Sequence, residues 1–172
     1  MRLASTTGDF DFYCNTHQER VQHLYEAGFR YIDLCMYTTF PEDELLISEK
    51  WRDNVARLKD YAGELGVQFV QAHAPGGFPL RTTGEWAARY EQLIHTTLRS
   101  IEICGLLGIP NIVVHAGCRR DLGKKGFFEE IVNFLRFFFS RLRNIMSMYW
   151  LKIVRDKMLL VAQRITRIQE QT

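Results

Sequence analysis

Apolar residues in this chain gather in short runs, and amphipathic stretches separate the runs. "YIDLCMY" (31–37) is brief, β-branched and aromatic, and "VQFVQAHA" (67–74) and "NIVVHAG" (111–117) have the same character. Between them Trp51, Val55, Leu58 and Ala62 recur at helical spacing within "SEKWRDNVARLKDYAGELG". A longer helical pattern, "TGEWAARYEQLIHTTLRSIEICGLLG", runs from about Gly84 to Leu107. Thr83 is the expected N-cap of that helix, and Gly108-Ile109-Pro110 its stop. Ser48 is the expected N-cap of the earlier one. At the start, "RLAST" reads as a weak strand and "HQERVQHLYEAGF" as a helix.

The pattern predicts strands near residues 2–6, 31–36, 67–73 and 111–115, each followed by a helix. Regular alternation of this kind predicts an α/β fold with parallel strands. Short continuous apolar runs fit strands covered on both faces. Right-handed crossovers then bring every strand's C-terminal end to one rim, where active-site groups collect in open sheets and barrels alike.

Two of these strands run into the same dipeptide. "VQFVQAHAPGG" and "IPNIVVHAGC" both end on His-Ala, at His73 and His115. An imidazole at a strand's C-terminal end can bind a metal, donate to a sugar hydroxyl or move a proton. The small residues that follow leave room for a ligand. His73 and His115 are therefore the candidate site residues. His17 begins a helix, and His23 and His95 lie within helices, so surface or packing roles are expected for those three.

Composition narrows the class. Of the 172 residues, 47% are hydrophobic and 24% charged, as in a globular domain. No apolar run approaches the roughly 18 residues that cross a bilayer, and the N-terminus has no signal-peptide core. Cys14, Cys35, Cys104 and Cys118 show no CxxC spacing, so reduced thiols and a cytoplasmic location are expected.

The net charge of +2 hides an asymmetry. Residues 1–130 carry 14 Lys+Arg against 18 Asp+Glu, 14 − 18 = −4, and residues 131–172 carry 8 against 2, 8 − 2 = +6. All 12 glycines and all 4 prolines also precede residue 131. Two domains are expected, 1–130 and a basic helical tail, 131–172.

At the histidine motifs the sequence resembles the xylose isomerase-like TIM barrels. "GVQFVQAHAP" and "LGIPNIVVHAG" look like the third and fourth strands of that family, and "AGFRYIDLCM" looks like its second. The resemblance covers about residues 1–130, roughly half a barrel, and implies a partial (β/α)8 TIM barrel of about four β/α units. It implies a metal-dependent sugar or sugar-phosphate isomerase or epimerase, with Mn, Mg, Co or Zn as the ion in full-length members. His73 and His115 would then line the pocket as catalytic and substrate-binding groups, with Asp33 also binding substrate.

The family's endonuclease IV branch, which acts at abasic sites, would instead use His73 and His115 as zinc ligands with a Glu from strand five. That branch usually has Tyr after HAP and Pro in its second histidine motif. Gly76 and Ala116 stand there in this chain, and the balance of −4 over residues 1–130 is the wrong sign for a DNA-phosphate binder. The sugar branch is preferred. A membrane or nucleic-acid partner is not expected.

The tail does not continue the resemblance. Where a strand ending in Glu-Asn is expected, "SMYWLKIVR" stands. Back-translated one base out of frame, it admits "VHVLVENSA", the missing metal-ligand strand. One reading of 131–172 is therefore a frame change near Glu130. The other is a native terminal helix, with Leu151, Val154, Met158, Val161, Ile165 and Ile168 in a heptad-like seam suited to self-association. On either reading strand five's carboxylate is lacking. The chain is expected to have little activity alone, or to be a non-catalytic remnant or interaction fragment.

Overall fold

The structure is a computed structural model. It describes residues 3–37, 43–76 and 86–115, together with positions 123, 125, 126, 128, 129, 131–133 and 136. The chain divides into two compact units, Met1–Ile131 and Val132–Thr172. The elements below belong to the first. The expected helical tail, its seam and the frame change lie almost wholly outside the described residues, as do Thr83, Ala116 and Cys118.

Four strands, β1 (Ala4–Thr6), β2 (Tyr31–Cys35), β3 (Gln68–His73) and β4 (Ile112–Val113), form one sheet in the order β1-β2-β3-β4. Every pairing is parallel. Helices α1 (His17–Glu26), α2 (Trp51–Glu64) and α3 (Trp86–Leu107) follow the first three strands. The alternation expected from the sequence is present, with β4 shorter than its apolar run. A 3-10 helix at Thr7–Phe10 between β1 and α1 was not anticipated.

Local chemistry sets the boundaries. Thr16 and Glu19 form a reciprocal capping box at the start of α1: Glu19 N–H donates to Thr16 Oγ1 at 3.2 Å, and Thr16 N–H donates to Glu19 Oε2 at 3.2 Å. The Ser48 expectation fails. Helix α2 begins at Trp51 with Lys50 as N-cap and no side-chain cap, and Ser48 Oγ instead accepts from Lys50 N–H in the preceding turn. Helices α2 and α3 both stop at a glycine with positive φ, Gly66 (66°) and Gly108 (73°). The next residue's N–H then reaches back to the helix, Val67 to Ala62 O and Ile109 to Cys104 O, each at 2.8 Å. These stops turn the chain directly into β3 and toward β4.

One face of the sheet carries the core. Ile32, Leu34 and Met36 from β2 and its end are fully buried. They share an apolar cluster with Val21 and Leu24 of α1, Val55 and Leu58 of α2, and Ile103 of α3. The opposite face is polar, and a break in register shapes it. Ile32 pairs with Phe69, but Asp33 pairs with Gln71, so β3 carries one extra residue, Val70. Phe69 and Ala72 both pack on the core, an odd step that simple alternation forbids. The irregularity turns Gln71 and His73 away from the core, onto the face that carries Asp33 and Cys35.

Candidate active site at the strand ends

His73 is the last residue of β3 and pairs in register with Cys35. His115 lies two residues beyond β4. Their rings stack, with centroids 5.7 Å apart and planes inclined by 17°. Tyr37, two residues past β2, meets His115 edge-on at 5.6 Å and 86°. The backbone ladder continues past the strands to hold this row: Met36 N–H donates to His73 O, Ala74 N–H to Val113 O and Gly76 N–H to Tyr37 O, at 2.9, 2.9 and 3.0 Å.

Asp33 completes the group. Its Oδ2 lies 2.8 Å from His73 Nδ1, with side-chain exposures of 15% and 27%. Gln71 Nε2 donates to the same oxygen at 3.4 Å. Oδ1 is buried and has no hydrogen-bond partner among the described residues. The three residues singled out in the sequence, Asp33, His73 and His115, are thus brought together, with Asp33 touching His73 and His115 stacked on it. Tyr37 and Gln71 were missed. Nothing in their local sequence marks them, and only the register of β2 against β3 brings Gln71 opposite Asp33.

The arrangement does not fit one ion held jointly by the two imidazoles. Stacked rings carry their in-plane lone pairs in near-parallel planes, and a shared ion would have to lie in both. Among the described residues no group of three or more His, Cys, Asp or Glu is disposed to hold a metal. A carboxylate against one nitrogen of an imidazole at the mouth of a parallel sheet is suited to moving a proton.

A second polar cluster lies beyond the same strand ends. His17, expected in a surface or packing role, is 2% exposed and faces Asp43. Arg20 is buried beside Asp11 at 2.6 Å. Neither pair was legible in the sequence, although Thr16-x-x-Glu19 would have placed His17 at the first turn of its helix. Elsewhere, an open depression of about 400 Å³ is lined by Lys59, Phe69, Leu107 and Pro110 among others, near the start of β3 and away from the histidines. No helix among the described residues is long and apolar enough to cross a membrane.

Two solved structures share the fold. The probable 3-DHS dehydratase AsbF from Bacillus anthracis matches with a TM-score of 0.56 and 16% identity, over 84% of this chain and 49% of that one. A sugar phosphate isomerase/epimerase from Parabacteroides distasonis matches with a TM-score of 0.52 and 11% identity, over 83% of this chain and 48% of that one. The likeness shows the fold, a partial TIM barrel, and this chain spans about half the length of each. No family model matches the chain. No curated protein matches it either.

Proposed function

We propose that residues 3–115 form the histidine-bearing half of an active site that moves a proton at a carbon beside the carbonyl of a small sugar or sugar phosphate, the chemistry of an isomerase or epimerase. One observation carries the reading: an Asp33–His73 contact of 2.8 Å at the end of a parallel strand. Isomerisation or epimerisation through an enediol needs a group that takes a proton from one carbon and returns it to a neighbouring carbon or to the opposite face. Imidazole is suited to this near neutral pH. His73 takes that role, and His115, stacked on it, bounds the space where the sugar lies. The name of the Parabacteroides distasonis enzyme supports the substrate class.

The divalent ion implied by the resemblance has no fitting ligand set among the described residues, so no step is routed through one. The other groups of a complete barrel site belong to a second half-barrel, and the 172-residue chain alone has little or no turnover.

The test is exchange of the carbon-bound proton in deuterated water, followed by NMR, across a panel of aldoses, ketoses and their phosphates. The chain as it stands gives background exchange. A full-length version with the second half-barrel restored exchanges the proton, and His73→Ala reduces the rate by on the order of 10²-fold or more, the usual contribution of a positioned base. Exchange that survives His73→Ala unchanged overturns the reading. Substantial turnover by the 172-residue chain, abolished by His115→Ala, would show that this half-site suffices.

A further inference from the structure

We infer that Asp33 is a positioning residue. It fixes His73 as the neutral tautomer protonated on Nδ1, so that Nε2 carries the lone pair that meets the substrate. The inference rests on the reading of His73 as the proton-moving group and names what orients it.

The geometry carries the argument. An ionised carboxylate only accepts, and a bare Nδ1 lone pair 2.8 Å from Oδ2 would face a second acceptor. The proton therefore belongs on Nδ1, which leaves Nε2 unprotonated in the neutral ring. Among the described residues nothing engages Nε2 by a hydrogen bond.

Asp33 is itself held. Gln71 donates to the same Oδ2, and Gln71 is the residue that the register break sets opposite Asp33. Were the ladder to run on unbroken from the Ile32–Phe69 pair, Val70 would oppose Asp33, and His73 would pair with Met36 on the core face. The bulge, Gln71 and Asp33 thus act together on one ring.

A purely structural ion pair explains less. Asp33 is mostly buried, and its Oδ1 has no partner among the described residues, an arrangement that costs stability. A carboxylate kept there for packing alone would be better replaced by an apolar side chain. One kept for its effect on His73 has a reason to remain.

The experiment is long-range proton–nitrogen NMR on the uniformly ¹⁵N-labelled 172-residue chain at a pH where the ring is neutral. His73 signals are assigned by their loss in His73→Gln. The expected result is a pyrrole-type Nδ1 and a pyridine-type Nε2. In Asp33→Asn, whose amide can donate as well as accept, the pattern moves toward the Nε2-protonated form or a mixture, and Asp33→Glu restores part of the original.

A native His73 protonated on Nε2 overturns the inference without any variant, so the test stands even if Asp33→Asn fails to fold. A tautomer pattern unchanged in a folded Asp33→Asn overturns it as well. The readout is independent of turnover. The expected tautomer in a protein whose full-length form moves no proton would sink the functional reading and leave the positioning role intact. His73-dependent exchange with the opposite tautomer would do the reverse.

Discussion

His17 Nε2 lies 3.5 Å from Asp43 Oδ2, and both side chains are only 3% exposed. The pair joins the first turn of α1 to the loop that precedes α2. Glu44 Oε1 accepts from His17 N–H at 2.8 Å. Asp43 Oδ1 accepts from the backbone N–H groups of Leu45 and Leu46 at 2.9 and 2.7 Å. Burial alone would raise the Asp43 pKa. The adjacent His17 ring and the hydrogen bonds from the Leu46 and Leu45 amides outweigh burial and hold it below the usual carboxylate range. A depressed carboxylate contributes stability that is fully present above its unfolded pKa, about 3.9, and lost as the pH falls through the lower folded value.

Denaturant titrations across a pH series should therefore show a stability loss on acidification that shrinks in Asp43→Asn. Asp43→Ala, which strands two backbone donors, should cost about 2 kcal/mol near neutral pH. An acid limb of the same size in Asp43→Asn would count against this account.

Cys104 gives a second expectation. Its thiol is pushed up to about 12, by burial first and by the negative charge of Asp33 second. At pH 8 it is a neutral thiol, and the thiolate is the reactive form. Peptide mapping after a short treatment with a thiol reagent should find Cys104 unmodified in the native protein and modified in denaturant. Equal labelling in the two states would contradict the burial described here.

A Cβ at Gly76 would fall inside the Tyr37 ring. That ring is 46% exposed and can swing outward, so the substitution displaces a side chain and need not strain the backbone. Gly76→Ala should change stability by less than about 1 kcal/mol. It should also remove the ring-current effect of Tyr37 on His115, which aromatic NMR signals report. Retention of that effect in Gly76→Ala would show that the two rings are held together by more than the space Gly76 leaves.

Among the described residues β1 and β4 each pair on one side only. Exposed apolar side chains flank the β1 edge: Leu3 just before it, and Phe12 and Tyr13 soon after. Open strand edges beside apolar surface promote association. Light scattering on the 172-residue chain should give a concentration-dependent mass above that of a monomer. A constant monomer mass at high concentration would refute this.

The order of elements was legible because strand and helix runs differ in length and period, and because glycines such as Gly66 and Gly108 mark the turns between them. The His73 and His115 positions were legible for the same reason, since a residue that ends a parallel strand must sit at the rim. Side-chain direction was not. Counting alternate residues from Phe69, which packs on the core, places His73 on the core face as well, and the extra residue at Val70 reverses that. Asp33 could not be assigned to His73 from sequence, because nothing local states how β2 registers against β3. His17 and Asp43 were invisible as a pair, being 26 residues apart on segments that meet only once the sheet exists.

The strands lie side by side in the order in which the chain encodes them. Among the described residues each strand therefore needs only its predecessor as a template. A sheet of this kind can grow at its leading edge as the polypeptide leaves the ribosome, each new strand and helix closing over the last. Each parallel pairing still joins segments separated by a helix, Ala4 to Tyr31 and Ile32 to Phe69, so every addition closes a long loop, which slows folding. The Asp33–His73 contact lies between β2 and β3 alone, so half of the candidate site needs neither β1 nor β4.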